Sequence, residues 1–248
     1  MLRRRLRLWV VGLFLLSALV AAATGGIGAA WTAVLWWPPE EAPAARMWVG
    51  LVVFTWIKAW TLWQVFSAFP AVRRLADRQA VWLRRVLYLA AADLLVLWLL
   101  PDIPHTVLST LVWVSLFLLF ARVPVGISSY GLPFAYGAVV ALAAESAGQF
   151  EGFVLIFAVC PLICQILILL GQKRDGRWSA ETVSIGWKTF WVSLALPLMP
   201  VVLDMDWPLA TLLTQCAVVQ AAWLARSAAE LTDVDRADTD TPTLVKVD

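Results

Sequence analysis

The hydrophobic positions of this chain form long runs, which polar, proline-rich or basic segments separate. Most of these runs reach or approach the roughly 17–25 apolar residues that a helix needs to cross about 30 Å of hydrocarbon. Pro38, Pro70 and Pro101 mark the ends of runs, because proline lacks a backbone donor and clashes within a helix. The pattern predicts eight transmembrane helices, at Leu8–Trp37, Met47–Phe69, Val81–Leu100, His105–Ala121, Leu132–Gly148, Gly152–Gly171, Thr189–Leu203 and Trp207–Ala225.

The first run also fits a second interpretation. Four arginines within the first seven residues precede an apolar core and Ala21–Ala23, an order that is typical of a secretory signal peptide. The apolar run continues to Trp37, however, where a signal peptide would give way to polar sequence. A first transmembrane helix is therefore favoured, with the glycines at 25, 26 and 28 loosening it or admitting a close neighbour.

Composition agrees with a membrane protein. Of the 248 residues, 62% are hydrophobic and only 15% are charged, against about 45–50% and about 25% in soluble domains. The 16 tryptophans suit the membrane interface, where an indole ring meets both lipid and water. We therefore predict an all-α integral membrane bundle over residues 1–226, followed by a polar, disordered cytoplasmic tail over residues 227–248.

The basic residues predict the orientation of the bundle. Segments that stay in the cytoplasm are enriched in Lys and Arg. With the N-terminus inside, the cytoplasmic segments hold 17 of the 19 Lys and Arg, while Arg46 lies outside and Lys58 lies within a span. Both termini are therefore predicted to be cytoplasmic, in a multi-pass protein of the cell membrane.

Lys58 and Asp93 are the leading candidate site residues, because each lies near the middle of a predicted span. A charge at the bilayer midplane costs roughly 2.5–3.5 kcal/mol on insertion scales, so such residues face the protein interior and find partners. We predict that the two form an ion pair at similar depth, with Lys58 turned away from Trp56, Trp60 and Trp63. The pair would either fix the packing of two helices or serve as a relay for protons or charged solutes.

Three acidic residues are weaker candidates. Asp204 and Asp206 form a carboxylate pair at the outer surface, where a solvated turn is favoured over an acid that starts the cyclisation of a prenyl chain. Glu145 is interpreted as a charge at the outer end of the fifth span rather than a further relay group. Cys160 and Cys164 share a helix face, but core packing explains them better than a site for a soft metal.

Missing motifs exclude several classes of protein. The chain lacks a Walker A motif, a Gly-x-Ser-x-Gly elbow and a His-Glu-x-x-His helix, which weighs against an ATPase and against common hydrolases. We predict no metal and no cofactor. The expected partners are the lipid bilayer and a cytoplasmic or membrane protein bound by the basic loops 70–85 and 172–188, whereas nucleic acid is not expected.

Three functional hypotheses remain from the sequence. The leading one is a small permease or the membrane subunit of a transport complex, with Lys58 and Asp93 at its polar site. The second is an intramembrane enzyme that acts on a lipid or prenyl substrate with Asp93, Asp204 or Asp206 as the acid. The third is a non-catalytic membrane module for sensing or assembly, in which the tail contacts a partner.

Overall fold

The fold is all-helical throughout the part of the chain that the structure describes. A computed structural model describes residues 2–35, 45–68, 78–99, 112, 114–116, 118–120, 154–196 and 209–231. All of these residues are helical except 176–179 and 231, and none of them lies in a β-strand. The prediction of an all-α fold is therefore confirmed. The helices with defined bounds are α1 (Leu2–Leu35), α2 (Ala45–Ala68), α3 (Arg78–Leu99), α4 (Val154–Asp175), α5 (Ala180–Ala195) and α6 (Leu209–Glu230).

Two helical segments among the described residues are long and apolar enough to cross a membrane. They are Arg5–Gly26 in α1 and Trp48–Ala68 in α2. Length and composition alone qualify them, and they support membrane association in general terms. The predicted fifth span, 132–148, lies outside the described residues, and the predicted fourth span is described only at helical positions between 112 and 120.

The chain divides into two compact units. The first contains Met1–Phe69, Ala90–His105 and Ile185–Arg226, and the second contains Pro70–Leu89, Thr106–Ser184 and Ser227–Asp248. Each unit has its own buried apolar residues, such as Phe54 and Val218 in the first and Leu83 and Leu169 in the second.

In the first unit, α1 and α2 pack as an antiparallel pair. Arg7, near the start of α1, donates a 3.0 Å hydrogen bond from Nη1 to Ser67 Oγ at the end of α2. Further along α1, Ala18 joins a buried cluster with Leu51 and Phe54, which lie towards the start of α2. The contacts thus progress in opposite directions along the two helices. The N-terminus of α1 and the C-terminus of α2 therefore lie at the same end of the pair.

The chain reverses direction at Gly26, inside α1. Gly26 has φ of 70° and ψ of −162°, a non-helical backbone conformation that residues other than glycine rarely adopt. Beyond it, Ala30 and Val34 are buried in the same cluster as Ala18, Leu51 and Phe54. We call residues 2–25 the long arm of α1 and residues 27–35 its short arm.

The length of the long arm shows that the short arm folds back. At about 1.5 Å per residue, the long arm advances about 29 Å from Arg7 to Gly26. Lys58 lies only about 14 Å from Ser67 along α2, yet its Nζ reaches the carbonyl of Val34. A straight helix would carry Val34 about 40 Å from Arg7, far beyond Lys58. The prediction of one continuous first span to Trp37 is therefore wrong beyond Gly26.

Two basic segments predicted as loops contain helix among their described residues. Residues 172–175 complete α4 and residues 180–188 begin α5, so the predicted loop 172–188 shrinks to the turn Gly176–Ser179. Gly176 ends α4 with a φ of 73°, the left-handed conformation common after helix C-termini. Ser179 then caps α5, because its Oγ accepts a 3.2 Å hydrogen bond from the backbone N–H of Thr182. In the other predicted loop, 70–85, residues from Arg78 onward belong to α3.

The last helix extends beyond the predicted start of the tail. The sequence predicts that boundary between residues 226 and 227, whereas α6 continues to Glu230. Ser227, Ala228 and Leu231 are fully buried. Their burial, together with the hydrogen bonds described below, explains why the helix continues past the polar residue Arg226.

Candidate functional site

Lys58 lies on the buried face of α2, at the centre of the segment long enough to span a membrane. That segment runs from Trp48 to Ala68, so ten residues lie on either side of Lys58. The buried face repeats every three or four residues, as an amphipathic helix requires, and comprises Leu51, Phe54, Lys58, Thr61, Leu62, Val65 and Ala68. Trp56 is 71% exposed on the other side. Lys58 is therefore buried within the first unit, on the side of α2 away from Trp56.

The ammonium of Lys58 donates a hydrogen bond to the backbone carbonyl of Val34. Val34 lies in the last turn of the short arm, where the final four carbonyls of a helix have no partner within it. The same carbonyls carry the negative end of the helix dipole, so a cation is stabilised there. Lys58 therefore acts as a cap for the short arm at the mid-depth of α2.

Thr61 adds an unpaired hydroxyl one turn along α2 from Lys58. Its side chain is fully buried, and its Oγ1 has no hydrogen-bond partner in the described structure. The hydroxyls of Ser17, Thr24, Ser67 and Thr189 instead donate to a carbonyl three or four residues earlier in the same helix. Because a buried polar group without a partner is rare and calls for an explanation, Thr61 belongs to the candidate site. We call Lys58, Thr61 and the carbonyl of Val34 the mid-depth polar site.

Asp93 is buried on α3. It is 9% exposed and belongs, like Lys58, to the first unit. Two residues later, Leu95 packs against the cluster of Leu62 and Val218, which places this part of α3 beside α2 or α6. The predicted ion pair between Asp93 and Lys58 stays a prediction. Asp204, Asp206 and Glu145 lie outside the described residues.

A second polar cluster lies in the second unit, where the turn Gly176–Ser179 binds the end of α6. Trp178 donates a 2.9 Å hydrogen bond from its indole N–H to the carbonyl of Ser227, one of the last carbonyls of α6. The hydroxyl of Ser227 accepts a 3.0 Å bond from Gln172 Nε2. The backbone N–H of Ser179 donates to Glu230 Oε2 at 2.9 Å.

A buried ion pair supports the same turn. Arg177 Nε donates to Asp175 Oδ2 at 2.7 Å, and Nη2 lies 2.5 Å from the same oxygen. Both side chains are almost completely buried, and the guanidinium lies 5.3 Å from the centre of the Trp178 ring. We call residues 175–179, Gln172, Ser227 and Glu230 the C-terminal clasp. Next to it, the buried Oγ1 of Thr182 has no hydrogen-bond partner in the described structure.

Comparison of the chain with family models, with curated proteins and with solved structures gave no match. The function therefore has to be inferred from the geometry of the chain itself. Within the residues that the structure describes, no group of three or more His, Cys, Asp or Glu side chains is placed to hold a metal ion.

The sequence identified Lys58 but not its contact with the carbonyl of Val34. The relevant signal was present, since Gly25-Gly26 interrupts an otherwise continuous apolar run. A glycine pair in such a run permits a reversal of the chain without requiring one, so the sequence could not predict the hydrogen bond between Lys58 and the carbonyl of Val34. The clasp was missed because a charged and polar segment was interpreted as a loop, although Gly176 and Ser179 are typical stop and start signals for helices.

Proposed function

We propose that this chain is a multi-pass membrane protein of the transport type, either a small permease or the membrane subunit of a larger transport complex. In this proposal eight helices cross the bilayer and both termini are cytoplasmic. The positive-inside distribution of Lys and Arg supports that orientation. The antiparallel packing of α1 and α2 fits it, because Arg7 and Ser67 lie at one end of the pair.

The exposed apolar face of α1 supports insertion into lipid. Large side chains on the long arm are about half exposed or more, among them Trp9 at 68% and Leu19 at 66%. Soluble monomers rarely expose a continuous apolar surface of this kind. Hydrocarbon would cover these side chains in a bilayer, which is the environment that the composition predicts.

The single observation that carries the transport proposal is the contact between Lys58 and the carbonyl end of the short arm. Interrupted helices whose carbonyl ends meet a cation near the bilayer midplane are typical of the substrate and ion sites of secondary transporters. Backbone that leaves regular helix at this depth is tolerated where protein or a water-filled cavity surrounds it. Lys58 and Thr61 supply the ammonium and hydroxyl that a proton or charged solute would meet there, with Asp93 as the proposed partner.

Proton flux across vesicles tests the proposal directly. The purified protein is reconstituted into liposomes that contain a trapped pH-sensitive dye, and an imposed pH gradient is followed. Wild-type vesicles should dissipate the gradient faster than protein-free ones, and Lys58→Met should lower that rate by about 100-fold or to the background, because it removes a positioned proton-transfer group. Lys188→Met makes the same chemical change at an exposed position and should leave the rate unchanged.

A second variant separates a functional from a purely architectural role of this site. Thr61→Val replaces an unpaired hydroxyl with a methyl group of similar shape and should preserve folding. A reduced flux with normal membrane levels would support the proposal, with Thr55→Val on the same helix as control. Wild-type vesicles that are no faster than protein-free vesicles, or full flux in both Lys58→Met and Thr61→Val, would contradict it.

The exposed basic residues of the second unit support the proposed cytoplasmic partner. Lys173 and Arg174 are exposed at the end of α4, whereas Arg177 is buried in the clasp. Segments 70–85 and 172–188 remain the proposed contact sites, now with residues 78–85 and most of 172–188 as helix. Acidic side chains on the partner would complement them.

A further inference from the structure

A shallow groove lies along the exposed face of α1. Its volume is ≈ 290 Å³, and its lining consists of Arg5, Leu8, Trp9, Gly12, Leu13 and Leu16. Gly12 leaves a gap between the larger side chains, because a Cβ built there meets no atom within 4 Å. All six of these residues belong to the long arm of α1, in the first unit.

The length of the groove matches one leaflet of a bilayer. From Arg5 to Leu16 the helix advances about 17 Å, and half of a hydrocarbon core of about 30 Å is about 15 Å. Arg5 lies at the start of the helix, where the headgroups would be, and Leu16 lies near the midplane. A single acyl chain would therefore run the whole length of the groove.

Charge is confined to one end of the groove. Arg5 is exposed at its rim, whereas Arg7 is turned towards α2, where it contacts Ser67 Oγ and the ring of Trp63. The remaining lining is apolar. A single positive charge at headgroup level above an apolar channel complements an anionic lipid.

We propose that this groove binds one anionic phospholipid of the cytoplasmic leaflet, with the phosphate at Arg5 and an acyl chain over Gly12. The proposal rests on the membrane insertion proposed above but not on transport. A second copy of the chain is a poorer occupant. Copies insert in the same orientation, so a symmetric contact across this face would bring two clusters of N-terminal arginines together.

Lipid retention measures this binding. The full-length protein is incorporated into nanodiscs that contain equal amounts of phosphatidylglycerol and phosphatidylcholine with identical acyl chains, and retained lipids are counted by native mass spectrometry. Wild-type protein should retain phosphatidylglycerol about fivefold over phosphatidylcholine, as expected for one basic side chain at an anionic headgroup. Arg5→Gln should bring this ratio close to one. Gly12→Leu should fill the groove and lower the retention of both lipids.

Matched variants elsewhere on the chain control for general effects. Arg174→Gln removes an exposed arginine and Val52→Leu enlarges an exposed apolar side chain on α2; neither should change retention. Equal retention of the two lipids by wild-type protein would overturn the proposal, as would a dimer that Gly12→Leu dissociates. Failure to enter nanodiscs would contradict membrane insertion itself, whereas entry without lipid preference would contradict only the groove.

Discussion

The mid-depth polar site and the C-terminal clasp differ in the pairing of their buried hydroxyl groups, Thr61 in the first and Ser227 in the second. In the clasp, Arg177 makes two contacts with Asp175, and Ser227 accepts one hydrogen bond through its hydroxyl and another through its carbonyl. At the mid-depth site, Lys58 meets a backbone carbonyl and Thr61 keeps an unpaired hydroxyl. Paired groups serve the architecture, whereas a buried hydroxyl with spare hydrogen-bonding capacity is available to a passing ligand. Thr182, next to the clasp, also keeps an unpaired hydroxyl. It is therefore the combination of such a hydroxyl with the buried ammonium of Lys58 that leads us to propose function for the first region and stability for the second.

The largest expected effect is the loss of the clasp's ion pair. Arg177→Ala leaves the Asp175 carboxylate buried without its counter-charge, which costs about 3–5 kcal/mol of unfolding free energy. Thermal unfolding in detergent measures the change, and Arg174→Ala, at an exposed neighbour, is the control. A double variant with both partners replaced by apolar residues should recover much of the loss. Unchanged stability in Arg177→Ala would show that the clasp is not the stabilising region.

A smaller effect is expected at the reversal that builds the mid-depth site. Gly26→Ala forces a Cβ into a backbone conformation with φ of 70°, at a cost of about 1–3 kcal/mol. The change should also withdraw the Val34 carbonyl from Lys58, so proton flux should fall together with stability. Gly12→Ala, at a glycine without such a φ and with open space around its Cβ, should not destabilise the protein. Identical melting temperatures for the two variants would argue against the reversal.

The smallest expected changes in stability come from removing one buried hydroxyl in each region. Ser227→Ala removes the acceptor for Gln172 and should cost about 1 kcal/mol, with flux per folded protein unchanged. Thr61→Val removes a hydroxyl that has no partner and should leave the melting temperature unchanged or slightly raised. Ser227→Ala should therefore lower stability without changing flux, whereas Thr61→Val should lower flux without lowering stability. Equal losses of stability would remove the distinction between the two regions.

The sequence predicted helical elements well and their ends less well. Apolar runs are long enough to identify α2 and α3 within a few residues, because a helix has to bury or shield its apolar side chains somewhere. The C-terminus of α4 depends on the backbone conformation at Gly176, and the N-terminus of α5 depends on the cap at Ser179. The hydropathy pattern reveals neither feature. Arg177 shows the same limit, since a charged residue predicted on a loop is buried once Asp175 pairs with it.

The sequence by itself indicated an all-α, strongly apolar chain and placed Lys58 on the face of α2 away from Trp56, because the helical period assigns a face to each residue. Only the tertiary structure decided what Lys58 meets there. Its contact with Val34 is made to a backbone carbonyl, which every residue carries, so no pattern of side chains could identify that contact. The reversal at Gly26 brings Val34 to Lys58 across 24 residues of sequence. That contact depends on how the two arms of α1 pack against α2, which is a property of the folded chain.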